Sequence, residues 1–143
     1  MDNRIAWACA DKLNKEDAWG DWRQIQPELL FVMQKIAEVI PGSIKIHSAY
    51  KETSNHSGLM HKGRGVEFHA IGCSILEANK EIIKMMRRTG LIELCGIGIY
   101  PDWVNPGFKI DIRGKRAAWA KAQEQYVSYS EGIDYIGNKN AIR

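Results

Sequence analysis

His61-Lys62-Gly63-Arg64-Gly65-Val66-Glu67-Phe68-His69 is the stretch on which the reading of this chain turns, since two histidines, a carboxylate and two turn-forming glycines fall close together. Gly63 and Gly65 permit a tight turn with close backbone approach. Val66, Glu67 and Phe68 then alternate like the start of a strand, with Val66 and Phe68 on one face and Glu67 on the other. That pattern aims a carboxylate into whatever cleft the strand borders, with His61 on the preceding loop and His69 two residues on. By residue type His61, Glu67 and His69 could ligate a metal ion. Equally, histidines near a carboxylate form ordinary surface or hydrogen-bonded sets.

Upstream of this stretch, the polar run 51–58 with Asn55 and His56 reads as an exposed loop. Before it, Ile44, Ile46 and Ser48 alternate with Lys45 and His47, which predicts a strand from near Ser43 toward Tyr50. Pro27 sits where a first-turn proline is tolerated, and Leu29, Leu30, Met33, Ile36, Ala37 and Ile40 follow at spacings of three and four. This predicts an amphipathic helix stopped at Pro41-Gly42. Residues 3–13 predict a short helix through Ile5, Trp7, Ala8 and Cys9, followed by a tryptophan-rich segment from Asp17 to Trp22.

Downstream, Ser74 followed three residues later by Glu77 is a capping box, and Ile75, Leu76, Ile82, Ile83 and Met86 mark a buried helical face that Gly90 ends. Residues 94–100 and 108–112 are two apolar, β-prone runs joined by a proline- and glycine-containing turn, which predicts a hairpin with a longer loop. In its second run Lys109 and Asp111 share a face opposite Phe108, Ile110 and Ile112. Residues 115–126 favour helix by composition, through Ala117, Ala118, Ala120 and Ala122. The tail after Tyr126 is polar with tyrosines and suggests no role. This order of elements argues for an α+β domain with a small antiparallel sheet covered by helices.

A chain of 143 residues suits a single domain, residues 1–143, with one substantial core. With 20 basic and 17 acidic residues the formal charge is +3, which demands neither nucleic acid nor a membrane as partner. Cys9, Cys73 and Cys95 are odd in number and set among apolar or small neighbours, as expected of buried free thiols in a reducing compartment. The N-terminus has no secretion-signal pattern and no stretch is long enough to span a bilayer, so a cytoplasmic location without export is expected.

The same residues carry a resemblance. Ser48-Ala49-Tyr50-Lys51 resembles the Ser-Gly-Tyr-Arg signature of the zinc D-Ala-D-Ala carboxypeptidases with the hedgehog/DD-peptidase fold, especially the short forms used as phage endolysins. Gly63-Arg64-Gly65-Val66-Glu67-Phe68 is similar to that family's Gly-Arg-Ala-Val-Asp-Phe. Gly96-Ile97-Gly98-Ile99-Tyr100-Pro101 and Phe108-Lys109-Ile110-Asp111-Ile112-Arg113-Gly114 resemble its Gly-Val-Gly-Tyr-Tyr-Pro and Phe-Val-His-Val-Asp-Val-Arg-Gly hairpin, with Trp119 near the family's following tryptophan. The matches run in family order over about residues 29–119, and the fold they imply is the peptidase one, acting on peptidoglycan.

The resemblance also implies a degenerate zinc site. Family members bind zinc through His, Asp and His, and these positions fall here on Met60, Glu67 and Lys109. His61 can take the first role only if the loop slips by one residue. Glu67 keeps the carboxylate but extends it by roughly 1.5 Å, against zinc–ligand bonds of only about 2.0–2.2 Å. An ammonium has no lone pair, so Lys109 at neutral pH cannot ligate zinc and repels it. Lys51 stands where the family has an arginine facing the substrate carboxylate, a point charge in place of a bidentate fork.

Three functional readings follow. The first to be preferred is a metal-free, catalytically inactive relative that binds a protein or small ligand, such as a phage accessory or inhibitor protein, with a cleft formed by Tyr50, Lys51, His61, Glu67, His69, Tyr100, Trp103, Lys109 and Asp111. No cofactor is expected in that case. The alternative is an active zinc peptidase cleaving bacterial cell-wall peptides, with His61, Glu67 and His69 or His56 as ligands, Glu67, Asp111 and Lys51 as the catalytic candidates, and a metal-bound water as nucleophile. The weakest is a nucleic-acid binder using Arg87, Arg88, Lys115 and Arg116, because short basic pairs are usually solvated faces. His47 reads as a half-buried structural residue, His56 as simply exposed, and Trp103 equally as recognition residue or core cover. Lys109 is expected to fill the place of the metal and to pair with Glu67.

Overall fold

The computed structural model describes residues 2–52 and 58–141. The alternating stretch becomes β2 (Gly65–Ile71), and β1 (Ser43–Ser48), β3 (Gly96–Tyr100), β4 (Gly107–Asp111), β5 (Ala117–Ala122) and β6 (Gln125–Val127) join it in one sheet. The order is β1-β2-β4-β3-β5-β6, every neighbouring pair antiparallel except β3 with β5. Period-two alternation then sorts the side chains. Ile46, Val66, Phe68, Ile97, Ile99, Phe108, Ile110 and Ala120 are buried in a single core, with Phe68 and Phe108 stacked at 5.5 Å.

Three helices supply the other half of that core: α2 (Pro27–Val39), α3 (Ile75–Thr89) and α4 (Tyr129–Ala141). α2 begins with Pro27 in its first turn and buries Leu29, Leu30, Met33 and Ile36, as their spacing predicts. α3 starts on the complete Ser74–Glu77 capping box and stops at Gly90, whose φ of +81° is left-handed. α4 docks through Gly132, because a Cβ there would lie 2.3 Å from the Ala120 Cβ. A short helix, α1 (Arg4–Cys9), packs Trp7 edge-on against Trp19 and Trp22 at 5.1 and 6.4 Å. Buried Asn3 ties this segment down by donating to the Trp22 and Ile25 carbonyls at 2.9 and 2.8 Å. The fold is α+β, with a mostly antiparallel sheet against helices.

Several expectations are corrected. Residues 115–126 do not form a helix; they form β5, a turn and β6. Alanine's helix propensity is worth less there than what a small side chain allows, namely close approach of Gly132 to Ala120 and parallel pairing with β3. The residues after Tyr126, read as having no role, include α4, which covers the end of the sheet. The first helix is shorter than 3–13. Of the three free cysteines Cys95 is buried, Cys73 half-buried and Cys9 exposed, so Cys9 is no core thiol.

Candidate functional site on the open sheet face

Strand register decides what the sheet shows on the side away from the buried residues. Ser48, Glu67, Lys109, Gly98 and Trp119 are successive Cα partners across β1, β2, β4, β3 and β5. Glu67 and Lys109 alternate with Val66, Phe68, Phe108 and Ile110, so they stand on the face opposite the hydrophobic core. Both are half-buried. Gly98 leaves room for the Trp119 indole to lie over its backbone, since a Cβ would sit 2.4 Å from Trp119 Cε2.

Around this row runs a continuous set of side-chain contacts. Asp111 is 1% exposed and accepts from Arg113 Nε and Nη2 at 2.8 and 2.7 Å and from the Gly96 amide at 3.2 Å. The Arg113 guanidinium lies 5.0 Å from the Trp119 ring centre. Trp119 Nε1 donates to the Tyr100 hydroxyl at 2.8 Å, and burial is the main cause that pushes that phenol up to about 12. Tyr100 stacks on Trp103 at 4.4 Å and 13°, Trp103 tilts against His47 at 5.3 Å, and His47 Nε2 meets His69 Nδ1 at 2.5 Å. A β-bulge between Ile46 and Ser48 sets His47 against His69 while Ser48 stays opposite Glu67.

Both imidazoles are pushed toward the neutral form. Burial, then the neighbouring His69, lower the His47 pKa below its ordinary value, against opposing pulls from Glu67 and Asp17. Burial, then the charge of Lys45, lower that of His69, with Asp17 again opposing. Lys45 is itself engaged by Asp17 at 2.8 Å, and Asp17 also accepts the Ile46 amide at 2.8 Å. A neutral pair can share one N–H between facing nitrogens, which leaves them able to exchange a proton with a ligand.

Of the residues singled out from sequence, Glu67, His69, Tyr100, Trp103 and Lys109 fall on or beside this face. Trp103 packs on Tyr100 and His47 and not on the core. Asp111 is brought to the same strand but spends its carboxylate on Arg113 and Gly96. Tyr50 and Lys51 follow β1, with the Tyr50 amide held by the Trp19 carbonyl at 2.9 Å and the Lys51 amide on that of Met60 at 3.4 Å. Met60, at the position of the family's first histidine, is 6% exposed. His61 lies in a single 3-10 turn, Leu59–Lys62, closed by Gly63 in the left-handed region, where a Cβ would collide with the Gln24 carbonyl oxygen. Its side chain, and His56 altogether, lie outside the described residues.

The expected ion pair is corrected: register sets Glu67 directly opposite Lys109, yet the described residues form no ion pair between them. Among the described residues no group of three or more His, Cys, Asp or Glu side chains is placed to hold a metal ion. Among these same residues, too, no helix is long and apolar enough to cross a membrane. Sequence reasoning missed Arg113, Trp119 and the recruitment of His47 to the face. The available signal was Gly98, a glycine in mid-strand that marks a close approach.

Arg87 and Arg88 end α3, and Lys115 and Arg116 precede β5, with Arg116 3.6 Å from Glu93. Compared with protein-family models, with curated proteins and with solved structures, the chain matches none.

Proposed function

We propose that this protein is a binding protein without hydrolytic activity, which takes a protein segment or a small ligand on the open face of its sheet. The observation that supports this reading best is the pairing of Glu67 with Lys109 in the strand register. Lys109 stands one strand away from the carboxylate, at the position where the resemblance puts the third zinc ligand, and an ammonium has no lone pair to give a metal. What the face offers is recognition: a positive and a negative charge side by side, a wall of stacked aromatics, and two neutral imidazoles. The resemblance to peptidoglycan carboxypeptidases belongs to this proposal as an ancestry, with a phage accessory or inhibitor role as its concrete form.

The test combines metal content with turnover. Protein purified without chelator should contain far less than one zinc per chain and release no D-alanine from cell-wall peptides. One equivalent of zinc, together with turnover abolished in Glu67→Gln, would instead establish the zinc-peptidase reading. Binding is examined by titrating cell-wall peptides, free D-amino acids and lysate-derived protein candidates against tryptophan fluorescence. The Trp103→Ala and Lys109→Glu variants should lose whichever ligand the parent takes.

A further inference from the structure

The helical layer does not close over the whole sheet. Between α3 and α4 lies a cavity of about 330 Å³ whose floor includes Ala118, exposed on β5, and whose walls are Ile83 of α3 and Ile133 of α4, both half-buried. The Tyr129 hydroxyl, at the start of α4, donates to Asn79 Oδ1 of α3 and spans the gap. Two arginines from separate elements line the same cavity, Arg87 from the end of α3 and Arg116 from the approach to β5. Arg116 has only exposed Glu93 at 3.6 Å, and Arg87 forms no ion pair among the described residues.

An apolar floor beneath two arginines sets opposing demands. An inorganic anion would satisfy the guanidiniums and leave Ala118, Ile83 and Ile133 wet. A neutral apolar molecule would gain by covering the floor and leave the charges without a partner. A molecule with one anionic head and an apolar body satisfies both, and Arg holds a carboxylate through two parallel hydrogen bonds. The volume is near the lower end of the roughly 300–1,000 Å³ range of ligand pockets, which suits a short acyl or aryl chain and not a long lipid.

We propose that the α3–α4 cavity binds a small amphiphilic carboxylate, its apolar body on Ala118 between Ile83 and Ile133 and its head between Arg87 and Arg116. The site lies on the helical side of the sheet, independent of the open face. It gives a shared task to two of the basic residues that a nucleic-acid reading would have assigned to phosphates.

The experiment titrates the full chain, ¹⁵N-labelled, with sodium octanoate, and in parallel with 1-octanol and inorganic phosphate. Octanoate should shift the amide signals of Ala118 and Ile133 saturably and more tightly than either comparator. Arg87→Gln combined with Arg116→Gln should weaken octanoate about tenfold or more, and Ala118→Phe, which fills the floor, should abolish binding. Phosphate or octanol binding as tightly as octanoate overturns the proposal, as does the absence of saturable shifts at these residues or unchanged affinity in Ala118→Phe. Both arginines are exposed, so the double variant decides the matter even where Ala118→Phe fails to fold.

Discussion

His47 and His69 meet nitrogen to nitrogen, and burial is the leading cause that lowers both pKa values from about 6.5. The unfolded chain therefore binds more protons than the folded one once the pH drops toward 6.5, and stability falls with pH there. The contribution is complete above the unfolded value and is lost as pH falls through it toward the lowered folded values. Chemical denaturation from pH 7.5 to 4.5 should show this decline, and the double variant His47→Gln/His69→Gln should flatten it. An identical pH profile in the double variant would remove the pair from the account. Asp111 makes a second residue-scale case, because its buried carboxylate holds Arg113 and the Gly96 amide. Asp111→Ala should cost about 2–4 kcal/mol, less than the ~3–5 of a fully buried pair since Arg113 keeps partial contact with water. Denaturant midpoints check it, and adding Arg113→Leu should recover part of the loss.

Among the elements, α4 exposes how tertiary contact reverses an intrinsic preference. Glycine inside a helix costs about 1 kcal/mol relative to alanine, so substituting it by alanine normally stabilises. Gly137 has nothing within 4 Å of an added Cβ, and Gly137→Ala should gain up to about 1 kcal/mol. Gly132 lies against Ala120 at 2.3 Å, so Gly132→Ala must push α4 off the sheet and should cost about 1–3 kcal/mol instead. Thermal melts of the two variants should move in opposite directions. The β5–β6 connection is the other instructive element. Gln123 and Glu124 turn the chain with φ of +52° and +64°, the backbone of a two-residue hairpin that usually announces itself with Asn-Gly. Without those residues, and with four alanines leading into the turn at 117, 118, 120 and 122, nothing local distinguishes the hairpin from a helix.

At the scale of the molecule, the sheet is covered on one face by α2, α3 and α4 and leaves its other face to polar and aromatic side chains. The covering is assembled from both halves of the chain, so its parts should differ in how they open. Ending the chain after Ser128 removes Ile136 and the Gly132 contact from the β3–β5 end. Hydrogen exchange should then quicken in β5 and β6 while β2 and β4, buried between other strands, keep most of their protection. Uniform loss of protection would show instead that α4 is needed for the whole domain to fold.

α2 and α3 are legible in the sequence, because period, proline and capping signals all act within a few residues. So are β1 to β4 and the opposition of Glu67 to Val66 and Phe68, because side-chain parity along a strand is local. The hairpin pattern brought Lys109 and Asp111 to one face for the same reason. That 117–122 is a strand emerges only from long-range packing, since parallel pairing with β3 and contact with α4 override alanine's preference. The same holds for the side-chain contacts that make the face a site. The bulge that sets His47 against His69, the indole of Trp119 over Gly98, and Arg113 on Asp111 depend on how strands distant in sequence line up. Pairing across such separations is fixed by burial of the shared core, which no single segment encodes.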